Sequence, residues 1–225
     1  GAEEFVCSQL ITDQVVEQLE KCSVFAPLHN PANILGIKAV SAVLPTVPQV
    51  GVFDTAFHQT MPAYAYMYAL PYEYYDKYRI RRYGFHGTSH KYVSAKGAKF
   101  AGLELGYSKI ITCHLGNGSS IAAVVNGKSI DTSMGFTPLE GLIMGTRCGN
   151  VDPDVVTYIQ EKEGFSPSEM SKVLNKKSGF LGLSGVSSDA RDLNEAANEG
   201  NARAKLTLKK LTYDITKFIG AYAAA

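Results

Sequence analysis

Cysteines are few in this chain of 225 residues, and no two of the four form a C-x-x-C pair. They stand far apart, at Cys7, Cys22, Cys113 and Cys148. A chain of this length can bury a sizeable core without disulfide bonds, so we expect four reduced thiols. Reduced thiols are typical of a cytoplasmic protein, and this is the location that we predict.

An excess of charge of one sign and long apolar runs are also lacking. The formal net charge is +1 at pH 7, and the basic cluster Arg79, Arg81 and Arg82 is interpreted as a solvated face. No apolar stretch approaches the roughly 20 residues of a membrane span, and no signal-peptide pattern opens the chain. We therefore expect neither a nucleic acid nor a membrane as a partner.

Two catalytic motifs are missing as well. The chain has no GxxxxGK[ST] phosphate loop and no G-x-S-x-G nucleophile elbow, which argues against a P-loop enzyme and against nucleophilic hydrolysis. The chain starts at Gly1 without a methionine and stops at Ala225 inside an apolar, helix-compatible run. From these ends we expect an internal part of a longer protein.

Helix signals recur along the chain. Caps or proline starts stand at Thr12, Asn30, Asp152 and Ser166, and a further helix is predicted from about residue 89 to residue 100. Apolar residues at three- and four-residue spacing predict a long amphipathic helix near the end of the chain: Leu208, Leu211, Ile215, Phe218 and Tyr222. The polar segment 184–192 is predicted to be a loop.

Strand signals lie between these helices. A short strand is predicted over residues 47–53, ending in Asp54, and two more over 109–115 and 121–125. Asn126-Gly127 is a strong two-residue hairpin signal, so 128–134 is predicted to return as a third antiparallel strand. The overall pattern is α/β. The predicted domain break lies just after Asp54, before a tyrosine-rich stretch that we interpret as mixed packing or an interface.

Two polar segments with glycine could carry chemistry. The turn HLGNGSS (114–120) exposes several backbone N–H groups that can wrap a phosphate, although from the turn by itself a plain hairpin is the preferred interpretation. His86 and His90 stand four residues apart, which is the spacing of a zinc-binding pair on a helix. Gly87 indicates instead that His86 precedes the helix, which leaves a packed histidine or a donor to an anion as alternatives.

Two charged residues complete the candidates. Arg147 stands between glycines before a capped helix, where its fork can reach a carboxylate or a phosphate, or can form a salt bridge. Asp54 ends a predicted strand, and ligands gather at the carboxyl ends of strands in open α/β sheets. A structural cap is the alternative for Asp54. The set as a whole suits phosphoryl transfer and also suits a hydrolase.

Six segments together resemble the acetate kinases, in the same order and at similar separations. They are APLHNPAN, VFDTAFHQTMP, YGFHGTSHKYV, HLGNGSS, DTSMGFTPLEGLIMGTRCGNVDP and SGVSSDARD. The similarity covers essentially the whole chain, and butyrate kinases match less well. The resemblance implies an α/β fold of the actin, Hsp70 and sugar-kinase superfamily, with two ribonuclease-H-like domains, here incomplete. Residues 1–55 would be the end of the first domain and 56–225 the first part of the second.

The resemblance also assigns roles to individual residues. It implies that the catalytic residues are Asp54, His86 and Arg147. It implies that the acid is bound near Leu28, His29, Phe85 and Pro138. It implies that the nucleotide is bound near His114, Gly116, Asn117, Gly118, Asp189 and Arg191. No metal ligand is assigned within this chain, although Asp54 is expected near magnesium. Ala190 is smaller than the phenylalanine that some members carry there.

The implied activity is reversible transfer of the γ-phosphoryl group of ATP to acetate, with Mg²⁺ as cofactor. The implied partners are ATP or ADP and acetate, propionate more weakly, and a second copy in a homodimer. The family's N-terminal phosphate loop, a second arginine and a C-terminal nucleotide loop have no counterpart here. A non-catalytic core fragment of such a kinase is therefore one alternative, and a metal-dependent hydrolase that uses His86, His90 and His114 is another.

Overall fold

The computed structural model describes residues 3–24 and 30–225, and the predicted site residues Leu28 and His29 lie outside them. Ten α-helices lie within this part of the chain: α1 (Asp13–Lys21), α2 (Asn30–Val43), α3 (Ala63–Tyr66), α4 (Glu73–Tyr78), α5 (Gly87–Phe100), α6 (Pro153–Glu163), α7 (Pro167–Lys176), α8 (Gly179–Ser184), α9 (Ala190–Asn198) and α10 (Ala202–Ala224). The same part contains five strands: β1 (Gln9–Leu10), β2 (Val50–Gly51), β3 (Lys109–Leu115), β4 (Ser119–Val125) and β5 (Lys128–Thr132). The mixture of both elements confirms the predicted α/β class.

The chain divides into two compact units. The first comprises residues 1–110 and 124–131, and the second comprises residues 111–123 and 132–225. The predicted domain boundary after residue 55 rests on the fold of a family rather than on compactness, and it stays a prediction.

The first unit contains a sheet that is smaller than its sequence pattern indicates. Strand β2 has two residues and pairs antiparallel with β1, with Gln9 opposite Gly51 and Leu10 opposite Val50. The predicted strand over 47–53 was therefore too long. Pro48 has no N–H to donate to a ladder, and the partner strand β1 offers only two residues.

The helices of the first unit begin where their caps predict. Thr12 accepts a hydrogen bond from the Val15 N–H at the start of α1, and α2 begins at Asn30. Helix α5 begins at Gly87, slightly before the predicted start, and His86 precedes it as expected.

One member of the basic cluster before α5 differs from its prediction, whereas Arg79 is exposed as expected. Arg81 is 4% exposed rather than solvated. Its guanidinium lies 3.6 Å from the centre of the Tyr66 ring, and its Nη1 donates to the Glu3 carboxylate at 3.0 Å. A tyrosine face and a carboxylate together replace water around this charge, which is why burial is tolerated. This packing agrees with the expected role of the tyrosine-rich stretch.

The three longer strands follow one another in the sheet order β3-β4-β5. Asn126 and Gly127 both have positive φ, 52° and 76°, which is the geometry of a type I′ turn and confirms the predicted hairpin. Strand β4 begins at Ser119, earlier than predicted, and β5 ends at Thr132 rather than at residue 134. Ile121 to Val124 in β4 are buried.

In the second unit, helices α8, α9 and α10 pack around a core of five buried residues: Ile143, Phe180, Leu193, Ala197 and Ala204. The predicted caps are present, since Asp152 accepts from the Asp154 N–H and Ser166 forms a capping box with Glu169. Helix α10 confirms the predicted amphipathic helix. The predicted loop over 184–192 was partly wrong, because Asp189 caps a helix that begins at Ala190.

One further expectation concerned membranes. Within residues 3–24 and 30–225, no helix has both the length and the apolar character needed to cross a bilayer.

Candidate active site

Asp54 is fastened to the start of helix α5 through two hydrogen bonds. Its carboxylate Oδ2 accepts from the His86 N–H at 2.6 Å, and its backbone oxygen accepts from the Gly87 N–H at 2.8 Å. The residue is exposed, so the carboxylate is held in place and is still accessible. Gly87 permits this approach because a Cβ there would lie 2.3 Å from the Asp54 backbone oxygen. The structure thus brings two predicted catalytic residues together.

His86 occupies a backbone conformation that is unusual for a residue other than glycine. Its φ is 57°, in the left-handed region, where an ordinary residue is disfavoured by about 1–2 kcal/mol. Surrounding contacts must hold such a residue, and strained residues of this kind cluster at functional sites. The half-buried imidazole lies 6.5 Å from the ring of His90, measured between centroids.

His58 supports the same turn from beneath. The side chain is completely buried. Its Nε2 lies 2.9 Å from the backbone oxygen of Phe85, and its Nδ1 lies 2.8 Å from the Ser129 Oγ. Ser129 is 71 positions away in sequence, so no local pattern could have revealed this pairing.

Burial controls the charge of His58. Desolvation lowers the pKa of its imidazole from 6.5 to about 4, against smaller upward effects of the hydrogen bond to Phe85 and of the Asp54 charge. The unfolded chain therefore takes up a proton near pH 6.5, while the folded chain resists it until about pH 4. The stability that His58 contributes is complete above pH 6.5 and is lost as the pH falls toward 4.

We expect this loss to be measurable by denaturant titration. Between pH 7 and pH 4.5 the free energy of unfolding should fall by about 2–3 kcal/mol because of His58 alone, at roughly 1.4 kcal/mol for each unit of the pKa difference. His58→Gln is the matched control, since it keeps a polar side chain that does not titrate. Equal pH dependence in the parent and in His58→Gln would contradict the expectation.

Arg147 lies on a loop that helix α8 holds. The Phe180 and Leu181 N–H groups in the first turn of α8 donate to the Met144 and Gly145 oxygens at 2.8 and 3.0 Å. The Ser178 N–H just before the helix donates to the Thr146 oxygen at 3.1 Å. These bonds satisfy helix-start N–H groups that would otherwise lack partners, and they fix the loop that precedes Arg147.

The Arg147 side chain is half-buried. Its Nη1 donates to the Pro138 backbone oxygen at 2.6 Å, so the structure joins these two predicted site residues. Burial lowers the pKa of the guanidinium, yet an arginine keeps its charge at neutral pH. This contact is a hydrogen bond to a backbone carbonyl and not the salt bridge that was the predicted alternative. The arrangement leaves a positioned cation with donors besides Nη1 for an anionic ligand.

The glycine turn lies against this loop. The Gly145 N–H donates to the Asn117 backbone oxygen at 3.3 Å, and a Cβ on Gly145 would lie 2.2 Å from the Asn117 Oδ1. Within the turn, the Gly116 N–H donates to the Gly118 oxygen at 3.1 Å. The structure thus places Asn117 beside the Arg147 loop and uses one of the turn's N–H groups internally. His114 lies at the start of the same turn, and its Nε2 would be 3.7 Å from a Cβ on Gly116.

Asp189 and Arg191 form a pair with each other. Asp189 accepts from the Arg191 N–H at 2.8 Å and from its Nη2 at 2.6 Å, and these bonds lower the pKa of the carboxyl to about 2. Asp189 also caps helix α9. Between them, Ala190 packs against the core of the second unit, so a small side chain suits this position. The predicted nucleotide-binding role of the pair stays a prediction.

The residues that the structure describes contain no group of three or more histidine, cysteine, aspartate or glutamate side chains arranged to hold a metal ion.

Comparison with known proteins places these features in a family. The profile of the Acetokinase family matches residues 1–225, the whole chain. The chain belongs to the acetokinase family. Among its curated relatives, the acetate kinase of Caldanaerobacter subterraneus subsp. tengcongensis is 63% identical over 226 residues, and that of Agathobacter rectalis is 60% identical over 225 residues. The chain spans 56% and 57% of the lengths of these two proteins.

Solved structures of the acetokinase family match the fold along the whole chain. The acetate kinase of Porphyromonas gingivalis has a TM-score of 0.95 at 54% identity, and this chain covers 56% of it. A propionate kinase from Francisella tularensis has a TM-score of 0.96 at 49% identity, with 58% of it covered. These matches confirm the resemblance and the fold that were predicted, in an incomplete form.

Proposed function

We propose that the full-length product of this gene is an ATP:acetate phosphotransferase that makes acetyl phosphate and ADP reversibly. Relatives at 60–63% identity are named acetate kinase, and a structural neighbour is named propionate kinase. The observation that carries the proposal is the fixed pairing of the Asp54 carboxylate with the His86 turn, in a member of the acetokinase family.

The reaction needs little general acid–base catalysis from the protein. A short carboxylic acid has a pKa near 4, so its carboxylate is already ionised at pH 7 and needs no general base. One of its oxygens attacks the γ-phosphorus in line, and the bond to the β,γ-bridging oxygen breaks as ADP leaves. The obstacle is bringing two anions together. Positioning and positive charge must therefore supply the catalysis.

Arg147 and His86 are the residues that we assign to this charge stabilisation. A held arginine matches the equatorial oxygens of a transferring phosphoryl group, and the hydrogen bond to Pro138 limits the rotamers of Arg147. The fixed backbone of His86 presents its imidazole in one direction. Both residues would stabilise charge without having to reorganise at the moment of transfer.

Magnesium fits the donor set around Asp54. Mg²⁺ usually keeps several waters and is bound by one or two carboxylates together with substrate phosphates, not by a cage made of protein alone. An accessible, hydrogen-bonded carboxylate provides such a ligand, and the described residues provide no cage. We assign Asp54 to the magnesium that accompanies ATP. Bound magnesium would neutralise charge on the phosphate oxygens.

We further propose the substrate contacts that the family resemblance implies. Phe85 and Pro138, with Leu28 and His29, would surround the acid, and one extra methylene would change specificity by only about 1–3 kcal/mol. Propionate should therefore react more weakly than acetate. The nucleotide would contact His114, the turn Gly116–Asn117–Gly118, and the Asp189–Arg191 pair. A homodimer in the cytoplasm is the state that we propose for the whole protein.

The test traps acyl phosphate with hydroxylamine. This chain and the full-length product are incubated separately with MgATP and acetate, and the hydroxamate is measured by its ferric colour. We expect hydroxamate from the full-length product, less with propionate, and none without MgATP. Asp54→Asn is the matched control, since it keeps the shape of the side chain but removes the charge.

The outcomes separate the hypotheses. Product from the full-length protein alone would mean that this chain is a non-catalytic core. Product from both would mean that the chain holds a working site. A folded full-length protein that gives no hydroxamate with acetate, propionate or butyrate would overturn the proposed function.

A further inference from the structure

The peptide group that joins Phe85 to His86 is hydrogen-bonded at both ends. Its carbonyl oxygen lies 2.9 Å from the Nε2 of buried His58, and its N–H donates to the Asp54 Oδ2 at 2.6 Å. One rigid amide plane therefore connects an imidazole in the core to a carboxylate at the surface.

The partners of His58 determine which nitrogen carries the proton. A backbone carbonyl only accepts hydrogen bonds, so Nε2 must carry hydrogen and donate to Phe85. Nδ1 of the neutral ring is then an acceptor, and the Ser129 hydroxyl donates to it at 2.8 Å. Ser129 lies in β5, where its own carbonyl oxygen accepts from the Thr60 hydroxyl at 2.8 Å. Strand β5 thus fixes the position of Ser129, and Ser129 fixes the tautomer of His58.

These bonds form one directed chain from Ser129 to Asp54. The His58 ring accepts at one nitrogen and donates at the other, and the Phe85–His86 peptide accepts at its oxygen and donates at its N–H. Each hydrogen bond therefore polarises the next and strengthens it. Donation to the Phe85 oxygen makes the His86 N–H a better donor to the carboxylate. The same contact opposes relaxation of the left-handed His86 backbone, because rotating that peptide would break hydrogen bonds at both of its ends.

We propose that His58 is a positioning residue for phosphoryl transfer, acting through the Phe85–His86 peptide to hold the Asp54 carboxylate and the His86 turn in their working geometry. The expected effect on kcat rests on the proposed function. The expected effect on the geometry of the His86 turn does not depend on that function. His58 is completely buried, and its two hydrogen bonds go to Phe85 and Ser129 rather than to the Asp54 carboxylate. The ring of His90, at 5.7 Å between centroids, packs edge-on against it and fixes its plane.

Two substitutions of His58 separate its two hydrogen bonds. His58→Gln extends a side-chain N–H to about the position of Nε2, so it can still donate to Phe85. His58→Asn reaches only about as far as Nδ1, so it can pair with Ser129 and leaves the Phe85 oxygen without its donor. In the full-length product we expect kcat to fall about 100-fold in His58→Asn and less than about 10-fold in His58→Gln. KM for ATP should change little in either.

Ser129→Ala provides a second route to the same question should His58→Asn fail to fold. It removes the hydroxyl that donates to Nδ1, leaves the contact of Nε2 with the Phe85 oxygen possible and no longer fixes the tautomer, so kcat should fall about 10-fold. Hydrogen exchange of the His86 amide supplies a readout that does not depend on activity. The protection of the His86 amide should be lost in His58→Asn and in Ser129→Ala, while protection in the middle of helix α5 is retained.

The results distinguish failure of this inference from failure of the proposed function. Normal kcat for each folded molecule and normal His86 protection, in whichever of His58→Asn and Ser129→Ala folds, would overturn the positioning role while the kinase stands. An inactive full-length parent would overturn the function, and loss of His86 protection in the variants would still support the role of His58 in holding the turn. Equal loss of stability in both His58 variants with unchanged kcat would show a purely structural histidine.

Discussion

Replacing Arg147 with alanine is expected to lower kcat of the full-length product by at least about 1,000-fold, the effect of arginines that act on transferring phosphoryl groups. The fold should survive, because the hydrogen bond from the charged side chain to the Pro138 carbonyl is worth about 1.5–3 kcal/mol. Steady-state kinetics with MgATP and acetate, together with circular dichroism, measure the two effects. Arg147→Lys should recover only part of the rate, since it restores charge without the planar fork.

Arg203 is the matched control for Arg147. It is also in the second unit, and its guanidinium also donates to backbone oxygens, those of Leu183 and Gly182, at 2.9 and 3.0 Å. Arg203→Ala should therefore lower stability slightly and leave kcat near the parent value. A near-normal kcat for Arg147→Ala, or an equal loss in both variants, would contradict the catalytic role of Arg147.

Replacing Gly87 with alanine should damage both stability and activity. The added Cβ would lie 2.3 Å from the Asp54 backbone oxygen and 3.1 Å from the Phe57 Cβ, and a backbone atom cannot move aside alone. We expect the free energy of unfolding to fall by about 2 kcal/mol, as for overpacking elsewhere, and kcat to fall about 100-fold. Urea titration and the hydroxamate assay measure the two losses.

Gly97 provides the control within the same helix. An added Cβ there would meet no atom within 4 Å, and the residue is exposed. Gly97→Ala should raise stability by roughly 0.5–1 kcal/mol, because alanine is the better helix former. If both alanine variants behaved alike, the close approach of helix α5 to Asp54 would have no energetic consequence.

Local signals predicted the elements that depend on local chemistry. The I′ turn at Asn126-Gly127 and the capping box at Ser166 need only neighbouring residues, and both are present. The predicted length of strand β2 was wrong because a strand's length also depends on its partner strand, which the local pattern does not contain. Helix α9 was missed because the polar face of a surface helix resembles a loop in composition.

The site shows the same division. Gly87 correctly indicated that His86 precedes α5, and the contact of Asp54 with that turn follows from the fold. The functional roles of these residues came from resemblance rather than from spacing. No local pattern marks His58, because its hydrogen-bond partners Ser129 and Phe85 lie far from it in sequence. Long-range hydrogen bonds leave no local pattern.

The attachment of the Arg147 loop to helix α8 bears on protein engineering. The loop's carbonyls take the N–H groups that begin this helix, and Phe180 of the helix belongs to the core of the second unit. A Cβ at Gly179 would lie 2.1 Å from the Met144 oxygen, so loop and helix fit only as a matched pair. Transplanting the Arg147 loop into another scaffold would require residues 144–184 to move as one cassette. Redesign of the core around Phe180 would therefore change the position of Arg147 at a smaller perturbation than the one that unfolds the protein.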